Sequence, residues 1–282
     1  MGIVNFYNNN WKALTLVTIV ILVIAASFLV YNTLTTGAPL ERDIELIGGK
    51  LITINLQNQP DINKLSSEIP EVRFKLVSGI QTTLLVEAGA DANETEILEK
   101  LNNLGVSGEY SIKTIGPALG EVFWRQAQIA IIAAFIIMSF VVFLLFRSLA
   151  PSIAVILAAT TDIVVAMFGM SLFGIELSLP TLAALLMLIG YSVDTDIVLT
   201  TEMLKSKERV LSESIKPAFK TGITMTSAAI AALIAMYFVS GSFVLQKMAL
   251  VLIIGLLADI PATWLTNVGI LRWYMEKKEA KK

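Results

Sequence analysis

Cysteine and histidine are both missing from the 282 residues. Their absence excludes disulfides, thiol nucleophiles, Cys/His zinc sites and haem ligation through histidine. It also leaves carboxylates, hydroxyls, tyrosine and water as the groups available to any proton path. Charge is scarce as well: Asp, Glu, Lys and Arg make up 16% of the chain, against about 25% in an average soluble domain. The formal net charge of −2 speaks against a nucleic-acid partner. No cofactor is implied.

What is present is apolar. Hydrophobic residues are 55% of the chain, and they are concentrated in blocks near 20 residues, about the length that crosses a ~30 Å hydrocarbon core. Six such blocks are predicted to span a membrane: Ala13–Tyr31, Gln128–Phe146, Ser152–Leu172, Thr181–Thr201, Thr221–Val239 and Met248–Trp273. The first is longer than the apolar region of a signal peptide and lacks a small-residue cleavage site after it, so it is expected to remain as a span. Lys and Arg then set the orientation. With the N-terminus cytoplasmic, Lys12, Arg147, the cations of loop 202–220 (Lys205, Lys207, Arg209, Lys216, Lys220) and those of the tail (Arg272, Lys277, Lys278, Lys281, Lys282) all face inside. The short outer loops hold only Lys247. Both termini are therefore expected in the cytoplasm, in a cell membrane. Segment 202–220 reads as an amphipathic helix ended near Pro217.

Three regions follow: 1–32, the N-terminus and first span; 33–126, an extracytoplasmic domain; and 127–282, spans two to six. Residues 33–126 have globular patterning. DIELIGGKLITINLQN suits one or two strands, and INKLSSEI a short helix before Pro70. VRFKLVS and TTLLVEAG read as strands joined by a turn at Gly79. DANETEILEKLNNLG reads as a helix with Asp91 as N-cap and Glu94 completing a capping box, stopped at Gly105. SGEYSIKTIG is the last strand. This β-α-β-β-α-β order is that of a ferredoxin-like α+β unit. Its acidic residues read as scattered, solvated positions with no catalytic constellation.

The spans themselves carry acids. Asp162 lies eleven residues after Pro151, hence ~17 Å along the helix. Asp194 and Asp196 lie in the fourth span and Asp259 in the sixth, and no Lys or Arg sits inside these spans. A carboxylate in hydrocarbon is costly, and intramembrane ionisable groups are functional candidates by default. The competing reading is structural: each acid hydrogen-bonds a nearby hydroxyl, and Thr160, Thr161, Ser192, Thr195, Thr226 and Ser227 are at hand. For Asp196 and Asp259 the two readings balance. Asp162 and Asp194 are the deeper pair and are expected to serve a proton or cation path. Helical spacing puts Asp194 with Tyr191 and Val198 on one face, and Asp196 with Ser192 and Thr200 on another. Asp194 is thus expected to face Asp162. Gly190 could admit close helix packing.

Four stretches resemble one family. LIGYSVDTDIV, with Gly190, Tyr191 and Ser192, is similar to the signature helix of SecF, the smaller subunit of the SecDF membrane complex. Its Asp-Thr-Asp wording is similar to that of the archaeal branch. LAATTDIVV resembles the SecF helix that carries an acid, with Asp162 in the matching position. DIELIGGK resembles a degraded Asp-Phe-x-Gly-Gly motif, and TIGPALGEVF the Gly-Pro-x-Leu-Gly motif. In order, they cover most of the chain. The resemblance implies the fold of the resistance-nodulation-division transporters and a five-helix block paired with a matching block in SecD. It also implies late-stage protein export beside a SecY-type channel, acting on exported chains within the membrane lipid. Proton-driven motion of the outer domains would power it, without enzymatic chemistry. One position departs. The family places an Arg twelve residues after the glycine, where this chain has Glu202. A cation then enters from SecD, or Lys205 substitutes, or the coupling is altered.

Two other classes compete. A stand-alone, homodimeric, proton-coupled exporter would supply a second copy of the six spans by symmetry. An intramembrane aspartyl protease would need two facing aspartates, but its Gly-x-Gly-Asp and Tyr-Asp motifs are absent.

Overall fold

Long uninterrupted apolar runs satisfy their backbone groups internally by forming helices, the one open-ended element that hydrocarbon tolerates. The computed structural model describes residues 2–56, 60–78, 82–205 and 211–279. Among them, six stretches are long and apolar enough to cross a membrane: Asn10–Thr36, Pro117–Phe146, Leu149–Leu172, Leu179–Leu204, Pro217–Val239 and Phe243–Lys277. They lie in helices α1 (Gly2–Thr36), α5 (Pro117–Phe146), α6 (Leu149–Leu172), α7 (Leu179–Lys205), α8 (Leu211–Val239) and α9 (Phe243–Pro261). The last span continues through a π-helical turn (Ala262–Asn267) into α10 (Val268–Glu279).

Helices α6, α7 and α9 pack on one another at the centre, with α1, α5 and α8 around them. Glycines permit the close approach. A Cβ added at Gly255 of α9 would lie 2.2 Å from Leu188 Cδ2 of α7, and one at Gly169 of α6 would lie 2.5 Å from Ile254 Cγ2. Gly190 has nothing within 4 Å of such a Cβ. The expected packing role of Gly190 is therefore not played inside this chain; Gly169 and Gly255 play it.

Between α1 and α5 lie α2 (Ile44–Ile47), β1 (Gly49–Leu56), α3 (Ile62–Glu68), β2 (Arg73–Ser78), β3 (Thr82–Ala88), α4 (Glu94–Asn103) and β4 (Glu109–Ile115). The four strands form one antiparallel sheet in the order β2-β3-β1-β4. Alternation buries Ile52, Ile54, Leu84 and Val86 against Leu65 of α3 and Ile97 and Leu101 of α4. Leu84 is fully enclosed. Leu84→Ala is expected to cost about 2–5 kcal/mol, read as a lowered unfolding midpoint of the full chain in detergent.

Several local expectations are corrected. The segment expected as one or two strands opens with the short helix α2. Asp91 does not cap α4: Asn93 does, its Oδ1 accepting from the Thr95 amide at 3.1 Å, which starts the helix later. Gly105 ends it with φ of +79°. The expected Gly79 turn lies outside the described residues, as do 206–210 of the expected amphipathic helix. Pro217 does not end a helix. It sits inside α8, which runs on because the following turns pack Ala218 among Trp264 and Leu271.

Candidate functional site: a buried carboxyl cluster

The small and polar side chains of the fourth span recur every three to four residues. That stripe buries Ala184, Leu188, Ser192, Asp196, Leu199 and Thr200 against the neighbouring helices. Asp196 thus points into the bundle, where Asp162 of α6 and Asp259 of α9 meet it. All three are fully buried.

Hydroxyls and one amide hold the cluster. Ser192 Oγ donates to Asp162 Oδ2. Thr263 Oγ1 lies 2.9 Å from Asp196 Oδ1 and 3.0 Å from Asp259 Oδ1. Asn267 Nδ2 donates to Asp196 Oδ1 at 2.7 Å. Asp162 and Asp259 are enclosed in the same cluster, each beside a hydroxyl donor. A hydroxyl has one proton to donate, so the two Thr263 contacts are satisfied together when one of the carboxyls is itself a donor. Asp162 Oδ1, Asp196 Oδ2, Asp259 Oδ2 and Asn267 Oδ1 make no hydrogen bond to the described residues. The result is an enclosed, oxygen-rich cluster with more acceptors than donors among the described side chains. No Lys or Arg occurs in stretches 149–172, 179–204 or 248–271 to neutralise it.

The π-helical turn positions Thr263 and Asn267. Pro261 has no N–H to give the carbonyl four residues back, and the ladder widens there rather than only kinking. π-turns recur at functional sites. Thr15 of α1 braces this one, its Oγ1 donating to Leu265 O at 3.0 Å. Thr263 and Asn267 were missed in the sequence. The available signal was their spacing, one and two turns beyond Asp259.

Asp194 is a correction. It does not face Asp162, since it lies exposed on the opposite side of α7. Periodicity fixes the angle between Asp194 and Asp196 but not which of them turns inward. The pairing of Ser192, Asp196 and Thr200 on one face agrees with expectation. The exposed face carries Ala183, Met187, Gly190, Tyr191 and Asp194 as a continuous stripe. Glu202 is half-buried in the last turns of α7.

Six membrane-length helices, a four-stranded domain inserted after the first, and carboxyl groups enclosed in the helical centre define a multi-pass membrane protein with an ionisable core. Residues 96–277 match the family described as protein export membrane protein SecD/SecF, C-terminal. The chain is 42% identical to the protein-export membrane protein SecF of Methanothermobacter thermautotrophicus, over 95% of this chain and 93% of that one. It is 39% identical to the SecF of Pyrococcus furiosus, over 96% and 93%. The chain belongs to the SecF family of protein-export membrane proteins. Its fold is also that of part of SecDF, a translocon-associated membrane protein from Thermus. The TM-score is 0.77 at 22% identity, covering 94% of this chain and 38% of that longer one. A weaker likeness in fold, TM-score 0.50 over 70% of this chain and 21% of the other, is to a heavy metal efflux pump.

Proposed function

We propose that this chain is an accessory subunit of the Sec export machinery. In this reading it acts with SecD beside a SecY-type channel to move exported chains across the membrane, coupled to a proton or cation gradient. It carries out no covalent chemistry. The observation that carries the coupling is the enclosed trio Asp162, Asp196 and Asp259, drawn from three helices with no basic residue in those stretches. A proton or small cation can neutralise such a group, and its arrival or loss changes which helices the group holds. Asp194 lies outside this trio, on the exposed face of α7, where a partner would meet it.

The exposed stripe on α7 supports a heteromeric partner. Placed in hydrocarbon, Asp194 would be costly facing lipid, so a second helical block covering Ala183, Met187, Gly190, Tyr191 and Asp194 fits. Such a block could bring the cation that Glu202 does not supply. The bias of Lys and Arg supports cytoplasmic termini, with residues 33–126 on the far side. The strand order β2-β3-β1-β4 supports reading that domain as a ferredoxin-like split unit.

The test is crosslinking in native membranes from Met187→Cys, a unique thiol in this cysteine-free chain. A heteromeric product containing a SecD-type partner is expected. A symmetric dimer of this chain alone would favour the homodimeric exporter instead.

A further inference from the structure

The two faces of the sheet domain have different neighbours. Strand alternation sends Leu84 and Val86 of β3 toward α3 and α4, and Leu85 and Glu87 the other way. Lys75 of β2 stands opposite Leu85 on that second face. There its Nζ meets Glu176 Oε1 of the α6–α7 turn at 2.5 Å. Oxygens of Asp43, Glu87 and Glu176 lie within 4.8 Å of one another, and Asp43 pairs with Lys247 of α9 at 3.6 Å. The second face is therefore the one seated on the helical block. Helices α3 and α4 lie on the side turned away from it.

The start of α4 carries the only Asn-x-Ser/Thr triplet in the 282 residues, Asn93-Glu94-Thr95. Its middle residue is not proline, as the acceptor sequence for N-glycosylation requires. Such a triplet is modified only where its amide is accessible, so the local geometry decides. Asn93 is the N-cap of α4, with φ of −82° and ψ of 106°. Both Asn93 and Thr95 are exposed. Asn93 Oδ1 accepts from the Thr95 N–H at 3.1 Å, closing an Asx turn across the triplet. That bond fixes the sense of the side-chain amide. The oxygen faces the helix, and Nδ2 makes no hydrogen bond among the described residues. Lys50 of β1 holds the corner: its Nζ donates to Ala92 O at 2.9 Å and pairs with Glu94 at 3.6 Å. The Glu94 carboxylate is thereby drawn toward the sheet. Beyond the turn, Thr95, Glu99 and Asn102 border a cleft of about 480 Å³ with Tyr110 of β4 on its other wall, which leaves room for the first sugars of a chain.

We propose that Asn93 is a glycosylation site, its Nδ2 carrying an oligosaccharide on the outward side of the sheet domain. This rests on the proposed placement of residues 33–126 across the membrane from the cytoplasm. The co-reactant is a sugar chain carried on a lipid phosphate. The Asn93 nitrogen forms a bond to the anomeric carbon as that carbon's bond to the phosphate oxygen breaks. The lipid phosphate leaves with the electron pair, and one amide proton passes to a basic group of the transferase. The product is still an amide, with its carbonyl oxygen free to accept. Oδ1 therefore goes on capping the Thr95 N–H, and α4 keeps its start. The sugar projects from the face that the helical block does not cover, so it disturbs neither the sheet core nor the contact with the α6–α7 turn.

Trypsin releases Asn93 within a single peptide, Leu76–Lys100. Mass spectrometry of that peptide, from the full chain purified out of its native membranes, is the test. It should be heavier than the bare peptide by a sum of sugar residues, with fragment ions placing the increment on Asn93. The same chain made in a host without the transferase should give the bare mass. Asn93→Asp keeps the helix cap and removes the amide nitrogen. Thr95→Ala keeps the cap and the amide and removes the hydroxyl. Both should lose the increment, and Thr95→Ser should retain it. A wild-type peptide of bare mass only, or an increment that persists in N93D or T95A, overturns the site. A membrane-impermeant maleimide on intact cells carrying Ser66→Cys, an exposed position on α3, separates this from failure of the placement. Labelling together with a bare peptide leaves the placement standing and removes only the sugar; absence of labelling removes both.

Discussion

Asp162→Asn is expected to abolish the gradient-dependent part of export in proteoliposomes while leaving the assembled protein intact. Asparagine keeps the shape of the side chain, and its Oδ1 can still accept from Ser192. It cannot exchange a proton, and it removes one of three charges that a bound cation would balance. The same loss is expected for Asp259→Asn. Asp196→Asn should add a stability cost of about 1–3 kcal/mol: the amide oxygen can take the place of Oδ1 and accept from both Thr263 and Asn267, but the amide NH2 then sits where Oδ2 has no hydrogen-bond partner among the described residues. Asp194→Asn is expected to weaken association with the partner block rather than the response to a gradient. Export should be measured with proton and sodium gradients collapsed separately. Indifference of wild type to both gradients would make the cluster structural.

Gly255→Val is expected to destabilise the helical centre, by about 1–3 kcal/mol or more. The first added carbon would already lie 2.2 Å from Leu188 Cδ2, and interiors packed to crystal-like density have little room to yield. Leu188 stands one turn before Ser192 and Gly255 one turn before Asp259, so the strain falls where the carboxyl cluster is assembled. Gly190→Val is the control. Its Cβ meets nothing within this chain, so thermal unfolding of the isolated protein should be unchanged, while crosslinking to a partner should fall. Equal midpoints for the two variants would contradict the packing described.

The six spans were legible because a hydrocarbon core demands long apolar runs, whatever the tertiary packing. The sheet strands were legible from alternation and turn residues. The Ser192–Asp196–Thr200 face followed from the helical repeat. What stayed hidden depended on contact between distant segments. Nothing in IGYSVDTDIV says which face meets α6 and α9, so Asp194 was favoured over Asp196. Gly190 stood out beside Tyr191, yet the packing glycines are Gly169 and Gly255, each opposite a branched side chain on another helix. Thr263 and Asn267 keep helical spacing with Asp259, but nothing in that spacing shows that their side chains meet Asp196 of a different helix. Asp43 and Glu87 read as solvated acids because Glu176 and Lys247, which enclose them, are about a hundred residues or more away in sequence.

The claim on which the coupling rests is that the enclosed carboxyls hold an exchangeable proton or cation. Infrared difference spectra of the reconstituted protein test it directly, by following the carbonyl stretch of protonated carboxyl groups as pH and sodium are varied. The expected result is a band that is lost on raising pH or on adding sodium, and that disappears in Asp162→Asn or Asp259→Asn but survives in Asp194→Asn. A spectrum with no such band, unchanged by pH and by sodium and identical in all three variants, would contradict it.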